Sequence, residues 1–230
     1  MRKYTTLLFD ADMTLFNFEG AEKAAFGIAM ISCGIEYNAE DFERYRAINS
    51  RLWERYAQGE ITKEYLQANR FAMFFETFDV PPRADGVAAN RVFVDTLADC
   101  SELFDGAIGL CRTLSEKYEL YIVTNGVSHT QKKRFYASPI CSYFKDIFVS
   151  EDAGAPKPMR EYFDYVFSHI GEEKREGSVI IGDSLSSDIK GGNNAGIDTV
   201  WYNPRGNENT TEITPTKTVG SYKELLELLL

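Results

Sequence analysis

Two carboxylates spaced i and i+2, Asp10 and Asp12, stand where an apolar run near the start of the chain gives out. Polar groups also mark the ends of later apolar runs: Thr124-Asn125-Gly126, Lys157 between Pro156 and Pro158, and Gly182-Asp183 with Asp188 five residues on. Singly, the Asp, Asn and Thr groups read as turn or helix-cap chemistry, which those residues favour, and Lys157 as a solvated loop lysine. Together they read as one crevice, because an open α/β sheet binds its ligand beyond the carboxyl ends of its strands. Asp10 is then the leading candidate nucleophile. Asp10, Asp12 and Asp183, with Asp188 behind, would repel one another there unless a cation sat among them. A hard divalent ion meets that need, and Mg²⁺ is favoured because it takes one or two carboxylates together with substrate phosphate and water. Lys157 and the Thr124 hydroxyl complete a set of partners for a phosphoryl group.

These groups need elements to hold them. Residues 4 to 9 (Tyr-Thr-Thr-Leu-Leu-Phe) read as a buried strand that delivers Asp10 at its end. From Glu19 to about Cys100 the apolar spacing is helical. One helix runs through Ala21 to Ile31 and closes near Gly34, and a second starts on Asn38 as N-cap and closes at Gly59. A third carries Tyr65 to Phe75 and ends before Pro81-Pro82, and a fourth covers Asp85 to Cys100. Beyond Phe104, helices at 109–118, 131–137, 161–170 and 189–195 alternate with apolar runs at 120–125, 146–150, 178–183 and 198–202. Continuous apolar strands between helices are what a parallel sheet covered on both faces requires. The expected fold is α/β: a Rossmann-like core of residues 1–16 and 101–230, with residues 17–100 as an inserted helical domain. Residues 203–221 read as a surface loop, and 222–230 as a closing helix.

Composition narrows the partners. The net charge of −10, with no cationic stripe, argues against nucleic acid, and an anionic ligand must find local positive charge in a lysine, a metal or helix N-termini. The first residues lack the apolar stretch of a signal peptide and no run reaches membrane-spanning length, so a cytoplasmic protein, monomer or homodimer, is expected. Cys33, Cys100, Cys111 and Cys141 lack metal or redox spacing and are expected to be buried free thiols in helical surroundings. Asn209-Thr210-Thr211 matches a glycosylation acceptor that carries no meaning without secretion.

In this order and at these intervals, Asp10-Ala11-Asp12-Met13-Thr14, Thr124-Asn125-Gly126, Lys157 and Gly182-Asp183 through Asp188 resemble the motifs of the haloacid dehalogenase superfamily. The helical insert resembles that superfamily's C1 cap. Within it, Asn49-Ser50-Arg51-Leu52-Trp53-Glu54-Arg55-Tyr56 followed by Gly59-Glu60-Ile61-Thr62 is similar to the noncanonical pyrimidine 5′-nucleotidases. The resemblance implies that Asp10 attacks phosphorus to form an aspartyl-phosphate, while Asp12 protonates the leaving oxygen and then takes a proton from water. It also implies that Mg²⁺ is held by the Asp10 side chain, the Asp12 carbonyl and Asp183, with Asp188 orienting either the metal's waters or Lys157. Substrate contacts are expected from Thr124 and Asn125 and, in selecting a base and ribose, from Asn17, Phe18, Tyr45, Asn49 and Trp53. Ser138-Pro139-Ile140 departs from the usual Gly-Leu before the third strand, a change confined to a loop.

Rival readings are weaker on particular residues. A dehalogenase needs no acid two residues after its nucleophile, so Asp12 speaks against it; a phosphatase of sugar phosphates or another small phosphometabolite has no such obstacle. Gly126-Val127-Ser128-His129-Thr130 misses the G-x-S-x-G elbow at its last glycine. An EF-hand fails because Ala21 stands where the loop's final Glu belongs. A phosphate-sensing module without catalysis would have no reason to keep every reactive group.

Overall fold

The structure, a computed structural model, describes residues 4–78 and 82–230. The expected apolar runs form strands β1 (Thr6–Phe9), β2 (Glu119–Thr124), β3 (Asp146–Val149), β4 (Ser178–Gly182) and β5 (Asp198–Tyr202), and a sixth, β6 (Lys217–Val219), follows them. The helices are α1 (Phe18–Ser32), α2 (Ala39–Ala57), α3 (Lys63–Phe75), α4 (Gly86–Ala98), α5 (Ala107–Ser115), α6 (Ser128–Ala137), α7 (Ser150–Ala153), α8 (Arg160–Ile170), α9 (Lys190–Ala195) and α10 (Tyr222–Leu229). The chain divides into two compact units, one of Met1–Phe18 with Ser101–Leu230, the other of Glu19–Cys100.

In the first unit all strands run parallel in the order β3-β2-β1-β4-β5-β6. The chain winds outward through β2 and β3 on one side of β1 and through β4, β5 and β6 on the other, so the winding reverses between β1 and β4. Period-2 alternation splits each strand between two cores. Leu7, Phe9, Leu120, Ile122, Val179 and Ile181 pack with α5 and α10, whereas Leu8, Tyr121, Val123 and Ile180 pack with Tyr162, Phe163, Val166 and Phe167 of α8. Each fully buried Leu or Ile contributes roughly 1.5–3 kcal/mol over an exposed one. A sheet covered on both faces leaves only its edges and strand ends for chemistry.

The second unit is α1 to α4. Asn38 caps α2 through a reciprocal capping box with Asp41, and Thr62 and Asp85 cap α3 and α4. Its centre is aromatic: Phe26 and Phe71 both lie 4.9 Å from Tyr45 between ring centroids, and Phe93 lies 5.6 Å from it.

The structure corrects several expectations. The 203–221 segment contains β6, an edge strand too short and too exposed to announce itself by apolar pattern. Of the cysteines, Cys111 alone is both helical and buried; Cys33, Cys100 and Cys141 lie at helix exits or in a 3-10 turn and are half-buried, and all four are free. Helix α6 starts three residues before the expected Gln131, and α9 is preceded by a π-type turn, Leu185–Ile189, that carries Asp188. Helix α3 stops at Phe75, and Pro81, expected to lie beyond its end, falls outside the described residues. No helix among the described residues is long and apolar enough to cross a membrane.

Candidate active site

The carboxyl ends of β1 and β4 are neighbours at the point where the winding reverses, and each delivers an aspartate. Asp10 follows β1 and donates its N–H to Ile181 O at 2.9 Å, so its backbone belongs to the sheet ladder. The next residues turn sharply: Leu15 and Phe16 both donate to Ala11 O at 2.9 Å, Met13 adopts a left-handed φ of 62°, and Tyr222 Oη donates to Thr14 O at 2.6 Å. A non-glycine residue held there costs on the order of 1–3 kcal/mol and persists only where its surroundings over-determine it. Those hydrogen bonds hold the turn against that cost and keep Asp10, Asp12 and Thr14 at fixed mutual positions. The Thr14 hydroxyl lies 3.4 Å from Asp10 Oδ2.

Lys157 is the electrostatic centre. Its side chain is 1% exposed, and Nζ spends all three protons at 2.7 Å, on Asp10 Oδ1, Asp188 Oδ1 and Val123 O. Burial opposes the ammonium charge, but the Asp10 and Asp188 carboxylates outweigh it and raise the Lys157 pKa above its ordinary value. The backbone of Lys157 is gripped by Asn125, whose amide donates to Lys157 O and accepts from Lys157 N, both at 2.8 Å. Asn125, expected to meet the substrate, has its amide engaged at both ends in placing the lysine. The other oxygen of Asp188 accepts from Ser184 N at 3.1 Å, so both Asp188 oxygens are engaged as well. Gly182 makes room for this: a Cβ there would lie 2.3 Å from Asp188 Oδ2.

Asp10, Asp183 and Asp188 each present a carboxylate oxygen within 4.8 Å of the others. Burial pushes the Asp10 carboxyl well above the usual carboxylate range, with Asp188 and Asp183 adding to the push and Lys157 opposing it. Burial, then Asp188, moves Asp183 up to about 7. Carboxyls raised by burial and by one another hold protons tightly unless positive charge is supplied. An all-oxygen donor set with that need fits a hard divalent cation.

Thr124 ends β2, buried, and its hydroxyl oxygen accepts from Gly126 N at 3.1 Å, leaving the hydroxyl proton for another partner. Asp12 lies outside the three-carboxylate group. Arg134 Nη1 donates to Asp12 Oδ1 at 2.6 Å and Gln131 Nε2 to Asp12 Oδ2 at 2.5 Å, both from α6. Asn17 follows the same loop and donates its N–H to Glu102 O at 3.0 Å. In the helical unit, Trp53 is half-buried with its ring 5.8 Å from that of Tyr56. Two residues expected to face a ligand do not: Tyr45 is fully buried in the aromatic centre, and Asn49 is buried and donates to Glu22 Oε1 at 2.9 Å.

Residues 7–202 match the haloacid dehalogenase-like hydrolase family. The chain belongs to that family. It is 42% identical to the HAD-hydrolase YfnB of Bacillus subtilis, over 100% of this chain and 97% of that one. A crystal structure of YfnB bound to magnesium, described as revealing interdomain movement, superposes with a TM-score of 0.92 at 41% identity over 99% of both chains. The pyrimidine 5′-nucleotidases YjjG of Escherichia coli and PynA of Streptococcus pneumoniae are 34% and 36% identical, covering 99% and 98% of this chain and 98% and 95% of theirs.

Within this hydrolase the residues missed by sequence reasoning are those that act on other residues. Gln131 and Arg134 belong to a polar run, Gln131-Lys132-Lys133-Arg134, that reads as a solvated helix face. Their i, i+3 spacing was the available signal, since it puts both on one side of the helix. Ser128 and His129, the near miss to a hydrolase elbow, form the first turn of α6, where Ser128 N donates to Glu151 Oε1 at 3.2 Å.

Proposed function

We propose that this hydrolase is a Mg²⁺-dependent phosphomonoesterase acting through Asp10 on pyrimidine nucleoside 5′-monophosphates. The observation that carries the chemistry is Lys157, held within 2.7 Å of Asp10 and Asp188 beside a third carboxylate, Asp183. Likeness to the two pyrimidine 5′-nucleotidases over nearly the whole chain supports the substrate class.

In the first step an Asp10 oxygen attacks phosphorus. The new Asp10–phosphorus bond forms as the bond to the ester oxygen breaks, and Asp12 gives its proton to the departing alcohol. In the second, water attacks phosphorus and yields a proton to Asp12. The acyl phosphate bond breaks, Asp10 is restored and inorganic phosphate leaves. Lys157 and the Thr124 hydroxyl offset phosphoryl charge, while Asp188 acts through Lys157, whose ammonium it accepts from at 2.7 Å. The Asp10 and Asp183 side chains and the Asp12 carbonyl would hold Mg²⁺, which supplies charge neutralisation between carboxylate and phosphate. Residues 1–16 and 101–230 are the catalytic core in this reading, and 17–100 the cap, where Trp53 and, at its start, Asn17 bear on substrate choice.

Steady-state kinetics on a panel of dUMP, dTMP, UMP, purine nucleotides and sugar phosphates, with Mg²⁺ or with EDTA, tests this. The pyrimidine nucleotides should show the highest kcat/KM, and EDTA should abolish turnover. A sugar phosphate preferred tenfold would overturn the substrate assignment, and full activity in EDTA the metal.

A further inference from the structure

Asp12 must be aimed to move a proton, and the turn that carries it offers no donor to its carboxylate among the described hydrogen bonds. The donors come from α6, the helix that follows the neighbouring strand β2. Arg134 reaches Asp12 Oδ1 at 2.6 Å and Gln131 reaches Asp12 Oδ2 at 2.5 Å, so the plane of the carboxylate is fixed at both oxygens. The Asp12 side chain keeps 24% of its surface exposed while that of Arg134 has none. Each carboxylate oxygen carries two lone pairs, and one donor apiece leaves the second for a proton. From that pairing we infer that Gln131 and Arg134 are positioning residues for the proton transfer performed by Asp12, an inference that rests on the phosphatase reading of the site.

Both residues are themselves held. The Arg134 guanidinium lies over the Phe16 ring at 4.8 Å and the Phe18 ring at 5.7 Å. A fully buried arginine is costly to desolvate, and an apolar side chain of similar size would serve packing at lower cost. Its presence at this position is therefore explained by what it grips. Gln131 lies flat against Gly126: a Cβ there would come within 2.1 Å of Gln131 Nε2 and 2.5 Å of its Cγ. The glycine of Thr124-Asn125-Gly126 thus serves the clamp, while Thr124 and Asn125 serve the phosphoryl site and Lys157. One strand end sets both the lysine and, through α6, the acid.

A positioned acid matters in proportion to how badly the leaving group needs a proton. The test is therefore a leaving-group series, from p-nitrophenyl phosphate, whose phenolate departs unprotonated, through phenyl phosphate to alkyl phosphates, measured on the parent, Gln131→Met, Arg134→Met and Asp12→Asn. Gln131→Met keeps the length of the side chain and removes its amide, with it the donor to Asp12 Oδ2, so it answers the question even if Arg134→Met does not fold. The expected result is that Gln131→Met loses about ten- to a hundredfold more kcat on alkyl phosphates than on p-nitrophenyl phosphate, with KM little changed and the direction of Asp12→Asn reproduced. An equal loss across the series would show a structural role and overturn the inference, as would no loss anywhere. A parent enzyme that hydrolyses neither these esters nor a nucleoside 5′-monophosphate would overturn the phosphatase reading instead, and an Asp12→Asn variant impaired equally on all would overturn the acid role of Asp12.

Discussion

At Lys157 one side chain settles three problems. It sets its charge against two buried carboxylates, ties the end of β2 to the end of β1 through Val123 O, and brings positive charge to a protein whose net charge is −10. Removing one partner of a buried ion pair costs about 3–5 kcal/mol, because the other charge is stranded. Lys157→Met should therefore lower unfolding free energy in EDTA by that order, measured by denaturant titration, and should lose turnover with it. A variant as stable as the parent would mean that Asp10 and Asp188 do not need the ammonium. Cys111 offers a separate check on the packing beneath the sheet. Burial pushes its thiol up to about 12 from an ordinary value near 9, so the folded state favours the neutral form. The resulting stabilisation is present below pH 9 and is lost as pH climbs from about 9 towards 12. At pH 8 a thiol reagent should label native Cys111 far more slowly than the three half-buried cysteines, and the slow class should vanish in Cys111→Ala.

The strand and helix ends carry the site, and they also show what a sequence can reveal about it. Strands β1 to β5 were legible because a sheet buried on both faces demands unbroken apolar runs, and the polar residue after each run marked its end. Asp10, Thr124, Lys157, Asp183 and Asp188 were visible for the same reason. β6 was not, because an edge strand of three residues has only Val219 to bury. Gln131 and Arg134 were hidden differently: a charged helix face looks solvated until its partner, Asp12, is known, and Asp12 lies 119 and 122 residues away in the chain. Tyr45 and Asn49 misled in the opposite direction, since a core aromatic and a buried amide have the same residue types as ligand contacts. Glycines at strand ends now have assignable work. Gly182→Ala would drive a methyl into Asp188, with 2.3 Å to Oδ2 where normal contact is needed. Displacing Asp188 by about an ångström should lower kcat on the order of a hundredfold through Lys157, with the fold retained by circular dichroism. Unchanged kcat would remove Asp188 from the chemistry.

For the whole molecule, the decisive feature is the reversal of winding between β1 and β4. It places two aspartates from residues 10 and 183 side by side at one end of a rigid sheet, with a lysine from residue 157 paired to Asp10 and to Asp188. In the proposed reading the helical unit, which has its own aromatic core and capped helices, bears on substrate preference, and substitutions there should leave the phosphoryl chemistry intact. That division makes the covalent step testable apart from specificity. Enzyme mixed with a phosphomonoester and Mg²⁺, quenched in acid within one turnover and digested, should yield the peptide containing Asp10 heavier by one phosphoryl group. The adduct should be absent in EDTA and in Asp10→Asn. Turnover with no phosphoryl group on Asp10, or with it on another residue such as Ser128, would contradict the assignment of Asp10 as nucleophile.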